Sequence, residues 1–190
     1  MLVYAIRHGE SEANAGQIHA GWSQTPLTEK GKAQAKAAGE KLKGVRFDRV
    51  VSSDLRRAVQ TCENALPGVP YETDALLREN NVGTLTNIAV TECERLYGEA
   101  YRENRRQMDF TAYGGENQDM LLERAGRFLD GVAQSNCETM AVFTHAGLLR
   151  AMLSYVTGVR QQNERFACKN CCIAIFEFNG KDWRLNAWGI

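Results

Sequence analysis

A chain of 190 residues with 23 Lys plus Arg against 23 Asp plus Glu carries no formal net charge at pH 7, so no broad field recommends nucleic acid or an anionic membrane as its main partner. The length fits one domain, residues 1–190, able to bury a sizeable core. The apolar start stops at Arg7, too short for a signal-peptide core, and no later run approaches the ~20 apolar residues of a spanning helix, which points to the cytoplasm. Oligomeric state is not legible.

In chain order, Leu2 to Ile6 reads as a buried strand feeding a polar, glycine-containing loop that begins at His8. Leu27 to Leu42 is a helix, with Thr28 as N-cap, Glu29 in the first turn and Gly44 suited to the C-terminal cap. Phe47 to Ser52 is a second strand, and Ser53 or Asp54 can cap a helix running to about Ala65, where Pro67, Gly68 and Pro70 end it. Periodicity is mixed from Thr73 to Ala89. A polar, charged helix follows from about Val90 to Gln107, closed by Gly114 and Gly115. Met120 to Ala133 repeats apolar residues at helical spacing. Thr139 to Thr144 is a third strand, and a helix starts at Gly147, just after His145.

Near the end, Cys171 to Phe178 and Trp183 to Trp188 flank Asn179-Gly180, a dipeptide suited to a hairpin turn. The six cysteines, Cys62, Cys93, Cys137, Cys168, Cys171 and Cys172, read as reduced thiols when no secretion signal is evident. Cys168, Cys171 and Cys172 lack a second Cys or His pair at the spacing a zinc site needs. Strands alternating with helices imply an α/β fold, a three-layer αβα sandwich with a largely parallel central sheet and an antiparallel edge strand. Ligands gather beyond the C-terminal ends of such strands.

Three polar clusters fall at those ends: Arg7-His8-Gly9-Glu10, Ser52 through Arg57, and His145-Ala146-Gly147. A phosphoryl dianion needs convergent positive donors, and arginine offers a bidentate fork that lysine cannot. A neutral imidazole is a competent nucleophile near pH 7, and a second can donate to developing charge. Arg7, Arg57, His8 and His145 fill those roles. Singly, each is more often a structural or solvated side chain; together, in a chain with three histidines, they form a site.

Arg7-His8-Gly9-Glu10-Ser11-Glu12-Ala13-Asn14 resembles the RHGE/Q-S/T-x-x-N motif of the histidine phosphatase (phosphoglycerate mutase-like) superfamily. Ser52-Ser53-Asp54-Leu55-Arg56-Arg57-Ala58-Val59-Gln60-Thr61 resembles its second motif and Thr144-His145-Ala146-Gly147 its third. Gly114-Gly115-Glu116-Asn117 is similar to a further segment, and Leu77-Arg78-Glu79 to the L-R-E segment. The resemblance implies a metal-independent phosphoric monoester hydrolase without cofactor, acting on a small phosphate ester. His8 would be the nucleophile and Glu79 the general acid, with Arg7, Asn14, Arg57 and His145 on phosphate. Glu10 and Glu116 are alternative carboxylates. After Glu79 the frequent Trp-Glu-Gly triplet is missing, which leaves pocket shape open, and residues 80–115 form a variable segment that would cover substrate.

Arg102, Arg105 and Arg106 share a helical face, either binding a second anionic group or lying solvated among Glu99 and Glu103. His19 and Trp22 either line the substrate rim or pack as ordinary side chains. A mutase, returning the phosphoryl group to a sugar acid, is the nearest alternative. A non-catalytic phospho-ligand sensor is another, since fold does not guarantee activity; it would need the positive clamp but neither nucleophile nor acid. A metalloprotein using His8, His145 and the Cys168 cluster is the third.

Overall fold

A computed structural model describes residues 1–160 and 166–190. Six strands form one sheet: β1 (Leu2–Arg7), β2 (Arg49–Ser52), β3 (Glu72–Thr73), β4 (Thr139–Thr144), β5 (Ile173–Phe178) and β6 (Trp183–Trp188), in the order β3-β2-β4-β1-β5-β6. The first four are mutually parallel. β5 runs antiparallel to β1 and carries β6 as the antiparallel edge. The helices are α1 (Glu12–Ala15), α2 (Glu29–Lys41), α3 (Arg56–Ala65), α4 (Val90–Gln107), α5 (Gln118–Ala133) and α6 (Ala146–Thr157).

The period of two along each strand divides the core between the sheet's faces. Val3 and Ala5 of β1 and Met140 and Val142 of β4 join Leu121, Phe128, Leu129, Leu148 and Met152 of α5 and α6. The alternate residues Ile6, Ala141 and Phe143 join Cys62 and Ala65 of α3, and Leu42 beyond α2. Each such Leu, Met or Phe, taken wholly out of water, contributes about 1.5–3 kcal/mol. The layers expected from sequence are therefore present, with the antiparallel edge made by the last hairpin.

Local differences have local causes. α2 is capped by Thr28, whose Oγ1 accepts the Gly31 N–H at 3.0 Å, but its C-cap is Leu42 in right-handed geometry, and Gly44, at φ +85°, turns the chain two residues later. Neither Ser53 nor Asp54 caps α3. Leu55 holds that position without a side-chain bond, because Asp54 pairs with Arg78 and Ser53 bonds His145. α5 starts two residues early, since Asn117 Oδ1 accepts the Met120 N–H at 3.0 Å. β5 starts at Ile173, since Cys171 sits at φ +58° and breaks the extended run. The hairpin turn takes four residues, with Asn179 Oδ1 accepting the Lys181 and Asp182 N–H groups.

The region of mixed periodicity forms β3 and two 3₁₀ turns, Ala75–Leu77 and Gly83–Leu85. Beyond it, α4 is interrupted at Gly98, whose φ of 55° and ψ of −131° suit a residue without Cβ. This region packs Val82, Leu85, Cys93, Tyr101 and Phe110 into a small cluster of its own. Among the described residues no helix is long and apolar enough to cross a membrane.

Candidate active site

The strand ends bring the sequence-predicted residues together. A cavity of about 1220 Å³ is lined by Arg7, His8, Asn14, Arg57 and Glu79. His145 is fully buried beside them, its ring centroid 5.0 Å from that of His8. Register explains the meeting: β1 and β4 pair Arg7 with Thr144, so the next residues, His8 and His145, leave the sheet side by side. The His8 N–H donates to the Thr144 carbonyl at 2.9 Å and extends that ladder one step.

His8 Nδ1 lies 2.7 Å from the Gly9 carbonyl. A carbonyl only accepts, so Nδ1 carries the proton and the Nε2 lone pair is left for chemistry. Burial, then the charges of Arg57 and Arg7, hold the His8 pKa well below 6.5, so the ring is neutral at pH 7. His145 is pushed down in the same direction by burial and by Arg57, with smaller contributions from His8, Arg124 and Arg7. Its Nε2 is 2.9 Å from Ser53 Oγ, which also accepts the Leu55 N–H at 3.3 Å. With Ser53 O–H donating to Nε2, the His145 proton sits on Nδ1, a buried atom without a protein partner and thus a donor available to a ligand.

Arg57 is 1% exposed. Its Nη1 donates to the Ser23 carbonyl at 3.0 Å and its Nη2 to that of Gly21 at 2.8 Å. Burial, partly countered by Glu79, pushes it down to about 10, which keeps it charged at pH 7. Arg7 donates through Nη1 to the Cys168 carbonyl. Asn14 Oδ1 accepts the Ser11 N–H at 3.2 Å and Asn170 Nδ2 at 3.3 Å, which leaves its own Nδ2 to donate into the cavity.

Glu79 is held by two backbone donors on one oxygen: the N–H groups of Asn80 and Gly147 each reach Oε1 at 2.9 Å. Oε2 is left to exchange a proton. Gly147 must be glycine for this contact, since a Cβ there would stand 2.3 Å from Oε1. Glu10 instead pairs with Lys30 at 2.7 Å and accepts from Thr28 at 3.0 Å. Glu116 pairs with Arg124 at 2.8 Å. Neither alternative carboxylate lines the cavity.

Two residues absent from the sequence reading shape this wall. Arg124 donates to the carbonyls of Leu76, Arg78 and Glu79 at 2.9, 2.6 and 3.0 Å, and so fixes the turn that presents Glu79. These carbonyls stand more than forty residues away, so an arginine inside an amphipathic helix gives no local signal of the role. Asn80, buried in the cavity wall, has neither side-chain Nδ2 nor Oδ1 partnered in the protein. Trp22 braces the same turn, donating Nε1–H to the Glu79 carbonyl at 2.8 Å under the guanidinium of Arg78. His19 bonds Tyr101 and lines the cavity.

Arg102, Arg105 and Arg106 line the outer part of the same cavity. All three are at least half exposed: Arg102 and Arg106 pair with Glu99 and Glu103 at 2.6 Å, and Arg105 lies 3.7 Å from Glu94. His8, Glu79 and His145 also bring ligand-type atoms within 4.8 Å of one another, but the two adjacent guanidinium charges oppose a dication there. The suggested cysteine trio divides: Cys168 and Cys172 meet at 3.3 Å, whereas Cys171 packs with Ala35 and Ala38.

A neutral imidazole flanked by two fixed guanidinium groups and a positioned carboxylate, at the C-terminal edge of a mostly parallel sheet, defines a phosphoryl-transfer site. Residues 3–190 match the histidine phosphatase superfamily (branch 1), and the chain belongs to that family. It is 28% identical over 186 residues to a broad-specificity phosphatase of Saccharomyces cerevisiae, covering 93% of this chain and 79% of that protein. It is 33% identical over 165 residues to the 2,3-bisphosphoglycerate-dependent phosphoglycerate mutase of Brucella melitensis, covering 81% and 80%. Among solved structures, the α-ribazole phosphatase of Shigella flexneri superposes with a TM-score of 0.90 at 25% identity, covering 100% of this chain and 96% of that one. A mycobacterial glucosyl-3-phosphoglycerate phosphatase complexed with VO3 gives 0.88 at 25% identity, covering 99% and 98%.

Proposed function

We propose that the protein hydrolyses small phosphomonoesters in the cytoplasm through a phosphohistidine at Nε2 of His8. The observation that carries this reading is the His8 ring itself: its Nδ1–H is tied to the Gly9 carbonyl and its basicity is suppressed by burial and two guanidinium groups. In the first step Nε2 attacks phosphorus, the ester P–O bond breaks, and Glu79 gives its Oε2 proton to the departing oxygen. In the second, water attacks the phosphoryl group, its proton passes to Glu79, and the N–P bond breaks. Arg7, Arg57, the Nδ1–H of His145 and Asn14 Nδ2 hold the equatorial oxygens, so catalysis is mainly positioning and fixed charge.

Phosphatases acting on different small phosphate esters share this fold, which supports a metabolite as substrate. Arg102, Arg105 and Arg106 on the outer wall favour one that carries a second acidic group. Residues 80–115, with their own apolar cluster, act as the cover over it. The test is a screen of phosphorylated metabolites in which free phosphate release and transfer to an added sugar acid are measured together. Release in excess of transfer supports a hydrolase; predominant transfer makes the protein a mutase, and neither leaves a sensor.

A further inference from the structure

The loop before β5 braces the phosphate-facing residues from behind. The Cys172 carbonyl accepts the Arg7 N–H at 3.0 Å, and that of Cys168 accepts the Arg7 guanidinium. Between them, Asn170 Nδ2 and the Cys171 N–H both reach the His8 carbonyl, at 3.1 and 3.3 Å. The side chains of the first two residues meet: Cys168 Sγ and Cys172 Sγ are 3.3 Å apart, and each residue is 6% exposed. The reaction scheme above uses neither thiol.

We infer that Cys168 and Cys172 form an oxidisable dithiol that a hydroperoxide converts to an intramolecular disulfide, and that closing it loosens the Arg7 clamp. The two sulfurs need to approach by ~1.3 Å to reach bonding distance. Of the six thiols, Cys172 alone is shifted downward. The S–H of Cys168 hydrogen-bonds its sulfur and, with the charges of Arg7 and Arg150, holds that thiol below its ordinary range despite burial. Burial pushes Cys62 and Cys171 up to about 12, and Cys93 and Cys137 also shift upward from burial. In the first step the Cys172 thiolate attacks one peroxide oxygen, an S–O bond forms, the O–O bond breaks, and hydroxide leaves as water after taking a proton. In the second the Cys168 sulfur attacks the sulfenic sulfur, the S–S bond forms, and the S–O oxygen departs with the Cys168 proton as water. Two thiols are oxidised by two electrons, and one hydrogen peroxide becomes two waters.

The bond draws in the backbone of Cys168, whose carbonyl anchors the Arg7 guanidinium. Misplacing a clamp by about 1 Å costs up to ~100-fold in rate, so we expect kcat/KM to fall by ~10- to 100-fold and to recover with dithiothreitol. The effect on rate rests on the phosphatase reading; the disulfide does not. The native protein is treated with hydrogen peroxide, alkylated, digested and weighed. Trypsin cuts after Lys169, between the two sulfurs, so the bridge joins two peptides, and fragmentation separates Cys172 from Cys171. Joined Cys168–Cys172 peptides, with loss of phosphate release that dithiothreitol restores and that Cys168→Ser and Cys172→Ser each escape relative to their own untreated rates, are the expected result. Alkylatable Cys168 and Cys172 after peroxide, or a bridge through Cys171, would overturn the dithiol. A bridge formed at full activity would overturn its coupling to Arg7. A reduced protein that releases no phosphate from any ester fails the phosphatase reading instead, with the mass result unaffected.

Discussion

The inner and outer ends of the cavity are built differently. At the inner end Arg57, His8 and His145 are buried, and each is oriented by a bond to a backbone carbonyl or to the Ser53 hydroxyl, which leaves His8 Nε2 and His145 Nδ1 to face a ligand. At the outer end Arg102, Arg105 and Arg106 are at least half exposed and pair with carboxylates, on a helix interrupted at Gly98. Fixed charge in a dry site needs no reorganisation when the phosphoryl group moves, whereas a solvated arginine surrenders its ion pair and water before it binds anything. The first arrangement suits a single invariant group, phosphate. The second suits a cover that tolerates several substrates.

Among changes that spare the nucleophile, the largest expected effect belongs to Glu79. An alkyl alkoxide leaves poorly without a proton and p-nitrophenolate leaves readily, so Glu79→Gln should slow phosphorylation of His8 by ~100-fold or more with an alkyl phosphate, and much less with p-nitrophenyl phosphate. Single-turnover kinetics checks this, because in the proposed scheme Glu79 also serves the second step. Equal slowing for both substrates would move the acid elsewhere. Gly147→Ala follows: its Cβ displaces Oε1, so we expect ~10-fold loss on alkyl phosphates with folding retained. Circular dichroism beside the rate assay separates displacement from unfolding.

The pH dependence probes the buried imidazoles. His8 and His145 have folded-state pKa values below the unfolded 6.5. Below pH 6.5 the unfolded chain therefore takes up protons that the folded chain refuses, and stability present above 6.5 declines as pH falls, by about 1.4 kcal/mol per pH unit for each ring. Activity should hold through pH 6.5, because His8 is still neutral there. Denaturant titrations at pH 7.5 and 5.5 should show the loss, and His8→Gln should reduce the slope. The smallest effect is at the outer end: Arg105→Gln should raise KM by about 2- to 5-fold for substrates with a second acidic group, by loss of one exposed ion pair, and leave p-nitrophenyl phosphate unchanged. A large loss for both would erase the contrast between the two ends.

What the sequence disclosed follows the same division. β4 and β6 keep the bounds read from the sequence, β4 around a continuous apolar run, and β1 runs only one residue further than its apolar run. His8, Arg57 and His145 were legible because each sits directly after a strand or in the first turn of the helix that follows one. Asn14, Glu79 and Arg7 also came from motifs that stand at element ends. Arg124 and the brace made by residues 168–172 were not legible, since each depends on a partner distant in sequence or on a backbone angle, such as φ +58° at Cys171, that no local pattern encodes, and Asn80 is marked only by its burial in the cavity wall. The caps of α3 failed for a related reason. Ser53 and Asp54 are good cap residues, but tertiary partners claimed both side chains.

The central claim is that His8 is the nucleophile, and the most direct measurement is to catch the phosphoryl group on it. Wild-type protein mixed with a turned-over phosphate ester and quenched within one turnover in alkaline denaturant, which preserves a phosphoramidate, should carry one phosphoryl group on the peptide containing His8. Mild acid should discharge it, and His8→Ala should carry none. Phosphate release at the wild-type rate by verified His8→Ala protein, or a phosphoryl group found on another residue, would contradict the account.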